Sequence, residues 1–420
     1  MKKVPPRAKR KVQTGKDTRD QKPRKSNKIF ILGIDRHAKL LAHSLAAVPG
    51  LPPTQILAHD MLAMTKWGEE GRSIDIRDFN GKFLSSRKIR CPEYIGHRRV
   101  RSRFLSNLSP MTNIVVSTAT RAVIPTLYSL RYYIDRHTTV CLVHPGLGVM
   151  EALNEEVFTN PALRPNYVLC HSIHKLGQHS SDYYSLKHAP GRMFLYGMPR
   201  DDGGGADIPL RVATSLSYGH TQHLIALLAA AEELGAVNLP RHLFLQQKLP
   251  MMIFSSLLDT ISVILGCRFD HIRHDEHAMH LWENMLRETL AIVSALPEFH
   301  DFPEIVEWFN RPRFAGYLKG KLTSRRYVSG YSEWISLVRR GFEPPVDFLN
   351  GYFVRRAREL GLSCHYNTMS VFMVKARLNS RRRELNLGIP LGLQPYTMDD
   401  DKIGGGQDVF DPKLDGDLDA

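Results

Sequence analysis

Residues 28–47 read KIFILGIDRHAKLLAHSLAA, and the fold turns on how this stretch divides. Ile29-Phe30-Ile31-Leu32 is a short apolar run of the kind that makes a strand buried on both faces, and Gly33 closes it. From Lys39 to Ala47 the apolar spacing changes. Leu40, Leu41, Ser44 and Leu45 share a helical stripe that stops at Pro49-Gly50. A buried strand, a glycine turn and a helix in that order begin an α/β layer structure.

The alternation continues outward. Gln55–Ala58, Asn113–Ser117 and Thr139–Val143 read as further strands, with helices over Ala122–Tyr133 and Met150–Val157. Residues 68–82 are Gly-rich and polar, a hairpin or loop, and Tyr167–Ser172 and Arg192–Gly197 are later strands. Such alternation predicts a parallel sheet covered by helices. Beyond the glycine-rich loop Asp201–Asp207 the pattern turns helical: Thr221–Leu234, Leu243–Leu265, His277–Leu296 and Val346–Leu360. The expected organisation is a basic disordered arm over 1–27, a Rossmann-like α/β domain over 28–205 and an all-helical domain over 206–378. A disordered tail, acidic at its end, follows over 379–420.

The 420 residues are 43% hydrophobic and 24% charged, a globular composition with length for two cores. No run approaches the roughly 20 consecutive apolar residues of a membrane helix, so no membrane span is expected. Five scattered cysteines without a CxxC pair point to free thiols in a reducing compartment. The net charge of +15 is uneven: residues 1–28 hold twelve Lys/Arg against two Asp, and residues 399–420 eight Asp against two Lys. Further basic clusters, Arg87–Arg103, Arg311–Arg340 and Arg381-Arg382-Arg383, are interleaved with Tyr94, Phe104, Phe314, Tyr317 and Tyr327. Arginine neutralises phosphate and aromatic rings stack on unpaired bases, so the pattern favours RNA or ribosome contact. The basic amino terminus resembles a mitochondrial presequence, though it holds almost no apolar residue for an amphipathic helix. Mitochondrial location is expected, with the cytoplasm as the alternative.

The glycine turn carries its own chemistry. In a dinucleotide site the second glycine admits a pyrophosphate against bare backbone, and the third lets helix and strand pack closely. In Gly33-Ile34-Asp35-Arg36-His37-Ala38 the first glycine is present and Ala38 is an acceptable third, but Asp35 stands at the second. A side chain and a negative charge there oppose a phosphate. Gly33, Asp35 and Ala38 thus mark a degenerate turn, and no cofactor is expected.

Several segments together resemble the ketopantoate reductase (2-dehydropantoate 2-reductase) family. They are the N-terminal strand–turn–helix, TNIVVSTATRAVIPTLYSL, TTVCLVHPGLGVMEAL, SVILGCR and, most specifically, VDFLNGYFVRRARELGL. The resemblance spans 28–378 and implies a helical domain of the 6-phosphogluconate dehydrogenase C-terminal type, with NADPH as cofactor and ketopantoate as substrate. Carried over position by position, it puts Ala119 and Ala122 at a cofactor-contacting Lys and Gln, and Pro145 at a substrate-side Asn. It puts Met251 at the catalytic Lys, Ser255 and Asp259 at two Asn, Glu333 at a Ser and Pro345 at an acidic residue. Gly33, Gly146, Gly148, Asp347, Asn350 and Gly351 remain as scaffold. In an active chain Lys248, three residues before Met251, and Glu343, two before Pro345, would be the general acid and its carboxylate partner.

A second resemblance, carried by HPGLGVMEAL, LRPNYVLCHSIHKLG, YYSLKHAPGRMFLYG and FLNGYFV, is to the fungal mitochondrial translational activators of cytochrome b. It implies association with mitochondrial mRNA and ribosomes. The expectation is a catalytically disabled reductase fold acting in mitochondrial gene expression. An NADPH-dependent 2-dehydropantoate 2-reductase is the alternative, and a homodimer is left open. His271, His274, His277 and His280 recur at three-residue steps, which reads as a solvated helix face, so no metal is expected. His171 and His174 read as polar surface.

Overall fold

In a computed structural model, residues 28–95, 110–178, 182–199, 210–322 and 332–387 are described. The arm over 1–27, the loop Asp201–Asp207 and the chain beyond 387 lie outside the described residues. The run Ile29–Leu32 is strand β1, buried throughout, and Arg36–Ala46 is helix α1. There follow β2 (Thr54–Ala58), α2 (Met61–Glu69), β3 (Ser73–Arg77), β4 (Phe83–Lys88), β5 (Glu93–Tyr94) and β6 (Asn113–Val116). Then come α3 (Thr120–Leu130), β7 (Thr139–Val143), α4 (Val149–Glu156), β8 (Asn166–Ser172), β9 (Lys175–Gln178), β10 (Ser185–Ala189) and β11 (Met193–Gly197). Helix α5 (Leu210–Ala229) and strand β12 (Ala236–Asn238) complete this part.

The main sheet has the order β12-β11-β8-β7-β6-β1-β2-β5. Strands β2, β1, β6, β7 and β8 are parallel, and β11 runs antiparallel to β8. The hairpin β3–β4 joins β10 and β9 in a separate four-stranded sheet that packs on α1.

The helical part holds α6 (Arg241–Leu265), α7 (Phe269–His274), α8 (Glu276–Ser294), α9 (Pro303–Asn310), α10 (Pro312–Leu322) and α11 (Glu333–Arg339). After a 3-10 turn at Pro345–Phe348 come α12 (Asn350–Glu359) and α13 (His365–Leu387). Helix α6 is the hub, packed by α8, α11 and α13, and it buries Phe244, Leu249, Ile253, Leu257 and Ile261. Among the described residues it alone is long and apolar enough, by length and composition, to cross a membrane. Here 67% of that stretch is buried as the domain's centre, which accounts for the apolarity.

The structure moves two boundaries. The α/β domain does not end at 205: α5 packs on β7, β8, β11 and β12, and its Leu224, Ile225, Leu227 and Leu228 belong to the α/β core. A helical period there marks the last covering helix of the sheet, and the helical domain starts at α6. Nor does the tail begin at 379. Helix α13 runs to Leu387 because Arg381 Nε and Arg382 Nε donate to the Arg339 and Gly341 carbonyls, both at 2.9 Å, tying its last turns to the end of α11.

Two histidine expectations are also corrected. The run from His271 to His280 is not one helix face: α7 ends at His274, and Asp275 caps α8 by accepting the Ala278 amide at 2.8 Å. His171 and His174 are buried, and His174 Nε2 donates to the Leu234 carbonyl (2.9 Å).

Gly33 is fixed by geometry, with φ +113° and a site where a Cβ would lie 1.9 Å from the Ser117 carbonyl oxygen. Gly50 has φ +83° with open space around it. In urea denaturation, Gly33→Ala is expected to lower unfolding free energy by at least about 3 kcal/mol, against about 1 kcal/mol for Gly50→Ala. Equal small losses would contradict the close approach of the turn to β6.

Candidate functional site

Asp35 is the N-cap of α1. Its Oδ1 accepts the Ala38 amide (2.8 Å) and the Ser117 hydroxyl (2.7 Å), while Oδ2 lies 3.8 Å from His37 Nδ1. The unpaired amides of a helix's first turn are what a bound phosphate would seek. Here the chain's own carboxylate engages them and is anchored from the end of β6. Arg36 does not balance Asp35; it reaches across to the Leu176 carbonyl on β9 (3.3 Å). Ala38 is fully buried, as close packing of helix on strand requires. Sequence reasoning missed Ser117, whose only signal was a small polar residue ending the neighbouring strand.

A second constellation lies where α6 meets the carboxyl ends of β7 and β8. Lys248 is 1% exposed, and its Nζ donates to the His144 carbonyl (2.7 Å) and the Cys170 carbonyl (3.3 Å). His144 Nδ1 accepts the Gly146 amide (3.0 Å), which leaves its proton on Nε2 to donate to Thr120 Oγ1 (2.8 Å). Burial lowers the Lys248 pKa to about 8, and burial with the Lys248 charge lowers that of His144 to about 3. His171 is lowered to about 3 by burial, then by the charges of Lys248, His37 and Lys321. Its Nε2 is buried without a hydrogen-bond partner among the described residues, and its ring stacks on Phe194 with centroids 6.3 Å apart. Lys321 Nζ sits 3.1 Å from Met251 Sδ and 4.7 Å from the centre of the Tyr317 ring. The joint between the domains thus gathers an amine and imidazoles, and no carboxylate acts on Lys248 or His171.

Comparison with known proteins accords with this geometry. Residues 243–378 match the family profile described as ketopantoate reductase PanE/ApbA C terminal. A 2-dehydropantoate 2-reductase of Saccharomyces cerevisiae is 27% identical over 144 residues, covering 29% of this chain and 35% of that protein, about a third of the relative's length. Among solved structures, the ketopantoate reductase of Ralstonia eutropha JMP134 superposes with a TM-score of 0.57 at 12% identity, over 84% of this chain and 99% of that one. The chain has the ketopantoate reductase fold, and its helical part carries the match to that family's C-terminal profile. The 2-dehydropantoate 2-reductase of Methylococcus capsulatus shares the fold at TM-score 0.55 and 15% identity, over 87% of this chain and 99% of that one. A D-mandelate dehydrogenase solved with NADH and anilino(oxo)acetate does so at 0.57 and 13%, over 84% and 99%.

Within the ketopantoate reductase fold, the positions singled out in the sequence resolve into scaffold and departures. A Cβ at Gly146 would lie 2.0 Å from the Phe348 carbonyl oxygen, which also accepts the Leu147 amide (2.9 Å), so this glycine closes the joint between domains. Asn350 is a pin: Thr260 Oγ1 donates to its Oδ1 (2.8 Å), and its Nδ2 donates to the Ser256 carbonyl (2.9 Å). Met251 is 37% exposed, whereas the amine aimed into the joint is Lys248, one turn earlier on α6. Glu343 lies half-buried after α11, and among the described residues no hydrogen bond or ion pair joins it to Lys248. Asp259, half-buried, accepts the Ser255 hydroxyl and that of Ser332 (2.7 Å), and the desolvation of its carboxyl raises its pKa to about 6. It lies eleven residues from Lys248, about 16 Å along the helix, too far to pair with it. Ser332 is the buried hydroxyl here, one residue before the position to which counting pointed.

The imidazoles give the protein an acid limit. His144 and His171 titrate near 3 when folded against 6.5 when unfolded. Between those values the unfolded chain binds more protons, so stability is complete above about pH 6.5 and falls toward pH 3, by roughly 1.4 kcal/mol per pH unit per group. In His171→Phe, whose ring keeps the stack on Phe194, the slope of unfolding free energy against pH is expected to drop by about one proton. Denaturant titrations across roughly pH 4.5–6 measure it. An unchanged slope would mean that His171 is solvated.

Proposed function

We propose that the chain is a ketopantoate reductase-fold protein that does not transfer hydride and that acts in mitochondrial gene expression, as an RNA- or ribosome-associated translational activator of the cytochrome b type. The observation that carries the loss of chemistry is Asp35, whose carboxylate already accepts the α1 amide that a diphosphate would need. With Ala119 and Ala122 in place of an amine and an amide, the residues present do not fit NADPH. Reduction of a ketone also needs a proton donor beside the carbonyl. The Lys248 amine is sealed from solvent and engaged by two backbone carbonyls, with no carboxylate beside it.

The role in gene expression rests on the resemblance to the cytochrome b activators and on the charge distribution, +15 overall with a strongly basic arm. Mitochondrial mRNA or the ribosome is the proposed partner and the mitochondrion the proposed location, with the cytoplasm as the alternative. One observation favours the competing reading, an active 2-dehydropantoate 2-reductase. Lys248 is an amine of lowered pKa at the domain joint, and a D-mandelate dehydrogenase of this fold was solved with NADH.

Fluorescence titration of the purified protein with NADPH is expected to show no saturable binding. Asp35→Gly, which bares the backbone of the turn, is expected to gain at least about tenfold in affinity. Saturable binding by the unaltered chain together with ketopantoate-dependent oxidation of NADPH would overturn the proposal. Crosslinking in isolated mitochondria, followed by sequencing of attached RNA, tests the other half.

A further inference from the structure

Helices α6, α11 and α13 leave a groove of about 520 Å³, floored by Val263, Ile335 and Val338 and walled by Arg339, Arg377 and Arg381. The arginines of α13 are held in place. Arg377 Nη1 donates to the Ile264 carbonyl (2.8 Å) near the end of α6, and Arg381 and Arg382 hold carbonyls at the end of α11. Such contacts complement the partial negative charge of a helix C-terminus and fix the guanidinium orientation. Each is a single-nitrogen contact, whereas a guanidinium carries five N–H groups.

Three residues beyond the groove-lining Arg339 stands Phe342, 38% exposed. The guanidinium of Arg121, from α3 of the other domain, stacks 3.4 Å from its ring centre, and that of Arg340 lies at 5.6 Å. Gly341 beside it lies against Leu385 and Arg382 of α13, the helix that walls the groove. Among the described residues Arg121, Arg340, Arg377, Arg382 and Arg383 form no ion pair with an acid; Glu384 is paired with Arg381 at 2.9 Å. Both burial and the neighbouring Arg340 act against the charge of Arg121. With Glu384 the one acid lining the groove, the arginines leave an excess of positive charge that an anion would offset.

We propose that this groove binds single-stranded RNA, with phosphates along the arginines and a base against the Phe342–Arg121 pair. Arg377 and Arg381 are one turn apart, about 6 Å along α13. A row of cations ending in a stacking ring suits a strand, where a lone phosphate would need only a point of charge. The inference rests on the RNA reading above and locates its surface.

The test is fluorescence anisotropy of a labelled single-stranded oligouridylate with the full chain, across a series of KCl concentrations. The pair Arg340→Glu/Arg377→Glu is expected to weaken binding at least about tenfold and to lower the slope of log affinity against log salt by about 1.4. Phe342→Ala is expected to weaken binding roughly tenfold with the slope unchanged, and Phe342→Trp to retain it. Lys82→Glu/Lys175→Glu, the same charge change on exposed residues outside the groove and the basic clusters, should stay within about twofold. Melting temperatures of all variants confirm that they fold. If the unaltered chain binds RNA and the groove variants bind it equally well with the same slope, the groove is not the site and the proposed function stands. If the unaltered chain binds no RNA, both fall.

Discussion

One buried ammonium joins the two halves of this protein. Lys248 leaves the central helix of the helical domain and ends on carbonyls at the rim of the sheet, one after β7 and one in β8. A charge taken out of water is costly, and the hydrogen bonds to carbonyl dipoles recover part of that cost only while both carbonyls stay in place. The sheet rim, the Gly146 turn and the start of α6 are therefore constrained together. Burial, and after it the same charge, lowers the pKa of His144 and of His171, so the chemistry of the joint is set by its architecture.

The turn after β1 shows how a chain can satisfy a helix N-terminus from within. A helix N-terminus wants an acceptor for its first amides, and a bound phosphate or an Asp side chain satisfies that need equally well. Asp is among the best N-caps, worth about 1 kcal/mol over an inert residue. Asp35 makes a self-contained cap, with Ser117 as its second donor.

What could be read in the sequence followed from period and composition. The β1–Gly33–α1 unit, the parallel strands after it and the long apolar α6 all declare themselves, because burial on both faces of a sheet or around a central helix leaves continuous apolar patterns. The place of α5 did not, since a helical period says nothing about which layer it covers. Strands β9 and β10 are short and of mixed polarity, so their sheet had no signature. At the site, Asp35 was legible because one residue at one position of a known turn decides the chemistry. Lys248 was legible only as a neighbour of Met251: counting along a helix fixes a residue's distance but loses its face when the register slips by a turn. The burial of His171 depends on Phe194 and on α6, which are distant in the chain.

The family profile stops at 378, yet α13 continues for nine residues more. Those two and a half turns lie beyond the matched residues, and Arg381 and Arg382 use them to clasp the end of α11. A boundary drawn where the match ends would cut through a clamp, leaving out part of the unit that holds itself shut.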